Sequence, residues 1–237
     1  ENRQLYRESA LTAEQIFEIA PDHVAIATGA RWRRDGYGAN ALAGIDAIKN
    51  APNVFTPDDI MAGNIPEGKT IVYDDDHYYM GTVIAENLRL KGLDVTLMTP
   101  EDVVSSWGAY TMDRWRAQSR LMELGVDIIV SKSLTAFDGR TATYQCNYTA
   151  RETSHEADSV VMVTARQPND SLYHDLIAHS SFQDGTSFKS LAKIGDCDAP
   201  GIIAAAVFAG HRYARELEEE VDRDNPLKHD RVFSCCG

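Results

Sequence analysis

The stretch IVYDDDHYYMG, residues 71–81, decides how this chain is read. An apolar β-type run, Thr70–Tyr73, leads through a short turn to Gly81, and a helical pattern follows. In nucleotide-binding β-α-β units this junction carries a glycine-rich loop, whose backbone N–H groups meet a pyrophosphate at the helix N-terminus. Here the turn holds three aspartates, a histidine and two tyrosines. With Gly81 as the third glycine of a G-x-G-x-x-G, the first two glycine positions hold Asp76 and Tyr78. A tyrosine blocks the backbone approach, and the carboxylates repel the ligand. At about 4 Å and an effective dielectric near 20, one like-charge pair costs on the order of 4 kcal/mol. A micromolar affinity is itself worth only about 8 kcal/mol. The acidic residue that would hold a ribose is also missing from the next strand end, where Met98, Thr99 and Pro100 stand and Glu101 comes late. The sequence therefore predicts a dinucleotide-type unit disabled for NAD. Consecutive ligands on one turn rarely converge on one ion, so the expectation for DDDHYY is a solvated or inter-domain turn rather than a metal site.

The pattern around this turn is β-α-β. A helix over 80–91 is expected to turn Val83, Ile84 and Leu88 to one face, with Gly92 at its C-cap and DVTLMT as the next strand. A second helix, 112–124, ends at Gly125 and leads into VDIIVS. Asp138-Gly139 marks a hairpin between shorter alternating strands. Upstream, Thr12 caps a short helix, and HVAIATGA is a continuous apolar run of the kind that suits a parallel strand covered on both faces. Thr56-Pro57 opens another short helix. Downstream, ADSVVMVTARQPN and SLAKIGDCDAPG read as strands, and a helix with an apolar start and an acidic end follows. Alternating strands and helices imply a parallel sheet with right-handed crossovers.

The bulk numbers exclude several functions. A net charge of −13 argues against nucleic-acid or anionic-membrane partners. No apolar run approaches the roughly 20 residues of a membrane-spanning helix. Cys146, Cys197, Cys235 and Cys236 form no C-x-x-C pair, so zinc or iron–sulfur ligation within this chain is unsupported. No disulfide-like spacing or secretory signal is present, and the expected home is the cytoplasm, with Cys235–Cys236 on an exposed tail. No nucleophile elbow, H-E-x-x-H or P-loop appears, and Ser105-Ser106 and Ser180-Ser181 lack a recognisable base. His174, His179 and His211 read as structural, the last as packed or facing a helix dipole. Arg31, Arg33 and Arg34 beside Trp32 either grip a phosphate or acidic partner or pack against another domain.

Three strand ends carry small or glycine residues where open α/β sheets bind ligands: IATGAR (26–31), VTARQPN (163–169) and KIGDCDAP (193–200). In this order they resemble flavoproteins in which an FAD-type domain is interrupted by an NAD-type domain. VTARQPN is similar to that family's T-G-R-x-P-N signature, with Ala165 in the glycine position. More closely, the DDDHYYMG unit, SHEADSVVMVTAR and IGDCDAPGIIAAAVFAGHRYARELEEE resemble the C-terminal region of trimethylamine dehydrogenase-like enzymes. These include dimethylamine and histamine dehydrogenases of the NADH:flavin oxidoreductase (old yellow enzyme-like) group.

The resemblance implies an α/β, Rossmann-like, FAD/NAD(P)-binding-type two-domain, three-layer fold whose first FAD-type βαβ is missing. Residues 1–54 and 170–237 would form the partial FAD-type domain, and 55–169 the inserted NAD-type domain. It implies cofactor contacts at Thr28, Gly29, Gly195 and Asp196, with ADP or FAD as the ligand, and no catalytic residue or metal ligand. FMN and a 4Fe-4S cluster belong to the family's N-terminal barrel, which lies outside this chain, so the chain is expected to be a fragment. The implied partners are that barrel, an electron-transfer flavoprotein and further copies of the chain. Two alternatives are part of an NAD(P)H-dependent reductase of the dienoyl-reductase type and a non-catalytic docking module.

Overall fold

The computed structural model describes residues 4–183 and 188–217. Along the chain run α1 (Ala13–Ile19), β1 (His23–Ile26), β2 (Ala30–Trp32), β3 (Val54–Phe55), α2 (Pro57–Met61), β4 (Lys69–Asp74) and α3 (Met80–Leu90). Then come β5 (Asp94–Met98), α4 (Arg114–Glu123), β6 (Asp127–Ile129), β7 (Lys132–Phe137), β8 (Thr141–Cys146), β9 (Glu152–Glu156) and β10 (Ser159–Val163). The last elements are β11 (Arg166–Pro168), α5 (Ser171–Ala178), α6 (Ser180–Gln183), β12 (Ser190–Lys193) and α7 (Ile203–Glu216). The chain divides into two compact units, one of Glu1–Ala30 with Pro168–Gly237 and one of Arg31–Gln167, so residues 31–54 lie in the second unit.

The central unit is built on a five-stranded sheet in the order β3-β10-β4-β5-β6, every pair parallel. Side chains alternate across it with the period of two that a pleated strand imposes. Ile71 and Tyr73 of β4, with Val160 and Met162 of β10, enter one apolar cluster. Val72, Val161 and Val163 enter the opposite one. Helices cover the second face, through Ile84 and Leu88 of α3 and Leu121 of α4. The antiparallel sheet β7-β8-β9 supplies Leu134, Phe137, Ala142 and Tyr144 to the first face. Both faces being covered, the strands are nearly uninterrupted hydrophobic runs. Each fully buried aliphatic side chain contributes about 1.5–3 kcal/mol.

Helix ends follow local chemistry. Thr12 and Gln15 form a capping box on α1, and Thr56 with Asp59 forms one on α2, where Pro57 opens the helix. Gly92 and Gly125 follow α3 and α4 with φ of 89° and 70°, the left-handed conformation that ends a helix without a Cβ penalty. The expectation for Val83 needs correction. It is 49% exposed, because a residue one step (about 100°) from Ile84 leaves the stripe that Gly81, Ala85 and Leu88 share.

In the other unit β1 pairs in parallel with β12, from His23–Ser190 to Ile26–Lys193. Ala13, Ile16, Ile26, Leu176 and Cys197 form its core. The expected cover on both faces of β1 is not found among the described residues: its sheet has two strands and only Ile26 is buried. His211 is exposed on α7 rather than packed. His179 stacks on Phe17 with ring centroids 4.4 Å apart. Cys235 and Cys236 lie outside the described residues. No helix of the described residues is long and apolar enough to cross a membrane.

Candidate functional site

Thr28, Gly29, Gly195 and Asp196 all lie just beyond the C-terminal ends of the β1–β12 pair. Ile194 N–H donates to Ile26 C=O (2.9 Å), which extends the pairing to the edge of the site. Gly29 and Gly195 then take φ of 74° and 63°. The backbone there needs residues that tolerate the left-handed region. Among the described residues, apart from its chain neighbours, no heavy atom lies within 4 Å of the Gly29 Cβ position.

Two residues not singled out as site residues hold this arrangement together. Asn169 N–H donates to Gly29 C=O (2.9 Å), and the Thr28 hydroxyl donates to Asn169 C=O. Thr28 Oγ1 also lies 3.2 Å from Sγ of the fully buried Cys197, which in turn reaches Asn169 C=O (3.5 Å). Thr28 thus acts as a brace between two strand ends while remaining exposed. The N of VTARQPN was the available signal for Asn169. Asp196 Oδ1 accepts the Gly201 N–H (3.1 Å), closing the loop ahead of α7. Beside it, Lys193 donates to Asp170 (2.9 Å), and this bond holds the Asp170 carboxyl below its usual range.

The second candidate is the β4–α3 turn of the central unit. Its expected solvation holds at Tyr79, 43% exposed, and is overturned at Asp74, Asp75 and His77, which are 0%, 3% and 5% exposed. The physical reason is that groups of the turn together with Asn40, Val163 and Trp107 take up most of its backbone and carboxyl hydrogen bonds. Val163 C=O accepts the N–H groups of Asp75 (2.8 Å) and Asp76 (3.1 Å). Asp74 Oδ1 accepts those of Asp76 (3.2 Å) and His77 (3.0 Å). Asp75 accepts both the backbone N–H (3.0 Å) and the side-chain amide (2.7 Å) of Asn40. His77, at φ 62°, brings Nε2 to 3.0 Å from Asp75 Oδ1 and 3.8 Å from Glu101. The 3.0 Å approach is an ion pair when His77 is protonated and lacks hydrogen-bond alignment, since neither His77 ring nitrogen has a hydrogen-bond partner among the described residues. Trp107 N–H caps the turn on His77 C=O (2.9 Å).

Burial pushes the Asp74 carboxyl up to about 7, against the two backbone N–H bonds that favour its charge. Burial also raises Asp76, with Arg166 opposing it. For His77 burial favours the neutral ring, yet the contact with Asp75 and the charges of Asp74 and Glu101 outweigh it and raise the imidazole. Among the described residues no group of three or more His, Cys, Asp or Glu is arranged to hold a metal ion.

Two of the three arginines pair within the chain: Arg33 with Asp35, lying over the Tyr37 ring, and Arg34 with Asp59 (2.7 Å). Arg31 is exposed.

Comparison with known proteins gives a consistent picture. Residues 55–158 match the family model of the OYE-like second alpha/beta domain. Dimethylamine dehydrogenase of Hyphomicrobium sp. (strain x) is 29% identical over 251 residues, covering 95% of this chain and 33% of that protein. The structure of histamine dehydrogenase from Rhizobium sp. 4-9 superposes with a TM-score of 0.87 at 39% identity, covering 94% of this chain and 36% of that one. The 6-hydroxypseudooxynicotine amine oxidase of Pseudomonas geniculata N1 gives 0.84 at 36% identity, covering 88% and 31%. The chain thus spans about a third of the length of these relatives. Over most of its own length, it is similar to the C-terminal region of the trimethylamine dehydrogenase-like enzymes, the dimethylamine and histamine dehydrogenase branch of the old yellow enzyme-like group.

Proposed function

We propose that this chain is the C-terminal, nucleotide-fold region of a flavin- and iron–sulfur-dependent oxidoreductase that oxidises an amine or N-methyl substrate and passes the electrons to an external carrier. The observation that carries this reading is the 39% identity to histamine dehydrogenase across 94% of the chain. In this reading the fold is Rossmann-like, with an FAD-type unit interrupted by an NAD-type one.

The β1–β12 strand ends are then an adenine-nucleotide site, for ADP or FAD. The residues fit such a ligand. Open space over Gly29 lets a sugar or phosphate approach the backbone, and the Asp196 carboxylate suits a sugar hydroxyl. Thr28 and Gly195 set the shape of the floor. FMN and the 4Fe-4S cluster reside in the N-terminal barrel, and the flavin there supplies the redox chemistry of C–N oxidation. The residues of this chain bind and position, and contribute no reacting group. The exposed Ile203 (72%) and Val207 (54%) of α7 suit packing against the rest of the protein. An electron-transfer flavoprotein is the acceptor in this reading, and the working form is a homo-oligomer. The closed β4–α3 turn speaks against an NAD(P)H-dependent reductase, which needs a competent cradle.

The test is the full-length protein. It is expected to be yellow-brown, to bleach anaerobically on adding an amine substrate, and to bind ADP but not NADH in calorimetry. A colourless, cofactor-free protein overturns the reading, as does micromolar NADH affinity.

A further inference from the structure

The carboxyl of Asp74 has no role in that reading. It ends β4, is fully buried, and reaches the first turn of α3, where a Cβ on Gly81 would meet its Cγ and Oδ2 at 2.5 Å. Oδ1 takes the N–H groups of Asp76 and His77, while Oδ2 is buried with no hydrogen-bond partner among the described residues. Tyr79, at the N-cap of α3, gives the helix no side-chain cap. In open α/β sheets this is where N–H donors and a helix N-terminus meet a ligand's phosphate.

We propose that Asp74 is an internal ligand: its carboxyl oxygen occupies the acceptor position a nucleotide phosphate would take, and so closes the central unit to nucleotides. What the cradle holds is an oxygen acceptor. A full charge is not required, since burial makes ionisation costly there. The surroundings are already matched without an incoming anion. Asp75 is held by Asn40 and faces His77, Asp76 faces Arg166, and Glu101 faces His77 from the β5 side. The buried phenol of Tyr73 lies on the same strand. The inference concerns the central unit alone; it shares with the proposed function the reading that this unit binds no NADH, and the formate test reads the Asp74 site separately from flavin colour and amine bleaching.

Two variants of the full chain test it. Asp74→Ala removes the acceptor and leaves a gap the size of formate. Sodium formate, compared with chloride at equal ionic strength, is expected to raise its Tm by roughly 3 °C, as binding at about ten times Kd would. The native chain and Asp74→Asn are expected not to respond. An Asp74→Ala variant that folds and ignores formate overturns the proposal, as does an equal response from the native chain. Asp74→Asn, which keeps an oxygen acceptor and loses the charge, covers the case in which the alanine variant does not fold. The raised carboxyl contributes stability below its unfolded value, and this is lost as pH climbs through about 7. Asp74→Asn is therefore expected to match or exceed the native Tm at pH 8. A lower Tm there shows that charge, rather than an oxygen acceptor, is required, and overturns the proposal.

Discussion

A Cβ placed on Gly81 would come within 2.5 Å of the Asp74 carboxyl, so the absence of a side chain at one residue is what lets the other be buried at the start of α3. Of the three glycines in a phosphate-binding turn, the one that brings helix and strand together is retained here. Here it lies against the Asp74 carboxyl group.

Gly81→Ala is therefore expected to destabilise the chain although alanine is the better helix former. Propensity favours alanine by about 1 kcal/mol. Overpacking against a buried group that cannot swing away costs about 1–3 kcal/mol. Urea unfolding should show a net loss. A gain would mean that Asp74 moves aside freely.

Asn40 supplies two donors to the buried Asp75 carboxylate, at 3.0 and 2.7 Å. Asn40→Ala keeps the backbone N–H and removes the amide, leaving a buried acceptor short of a partner. The expected cost is about 1–3 kcal/mol, read as a lower urea midpoint at unchanged m-value.

His77 sets a pH dependence whose sign follows from its raised pKa. A histidine raised in the folded state contributes stability that is fully present below its unfolded value, near 6.5, and is lost as pH rises through the folded value. His77→Gln should consequently lose more Tm at pH 5.5 than at pH 8.5. A deficit that is constant with pH would assign His77 a packing role only.

Cys146 is a free thiol lowered to about 6, first by the Thr149 hydroxyl and then by neighbouring backbone N–H groups. Cys197 is a free thiol with no exposed surface. In a chain with Cys235 and Cys236 changed to serine, iodoacetamide at pH 7 should label Cys146 rapidly and spare Cys197 until the protein unfolds. Mass spectrometry of the labelled peptides decides it.

The turn at 74–79 shows how far sequence reasoning reaches. Its loss of two glycines was legible because a Cβ at those positions conflicts with a bound pyrophosphate whatever surrounds it. Its burial was not legible. Consecutive aspartates look solvated until Asn40 and Val163, distant in sequence, bring the donors and acceptor that let Asp74 and Asp75 leave water.

The same division holds for the strand ends. Gly29 and Gly195 were visible as punctuation after apolar runs, and both adopt the positive φ that only local sterics require. That Thr28 is braced by Asn169 and Cys197 depends on β1 and β12 lying side by side, a pairing of residues some 167 positions apart.

By itself, then, the sequence determined the α/β order, the helix caps and the loss of the glycine loop, because periodicity, capping and backbone sterics act over a few residues. Only the tertiary structure decided which carboxyls are buried, which arginines are spent and where protons are held. Desolvation and ion pairing depend on what long-range packing places within a few ångströms.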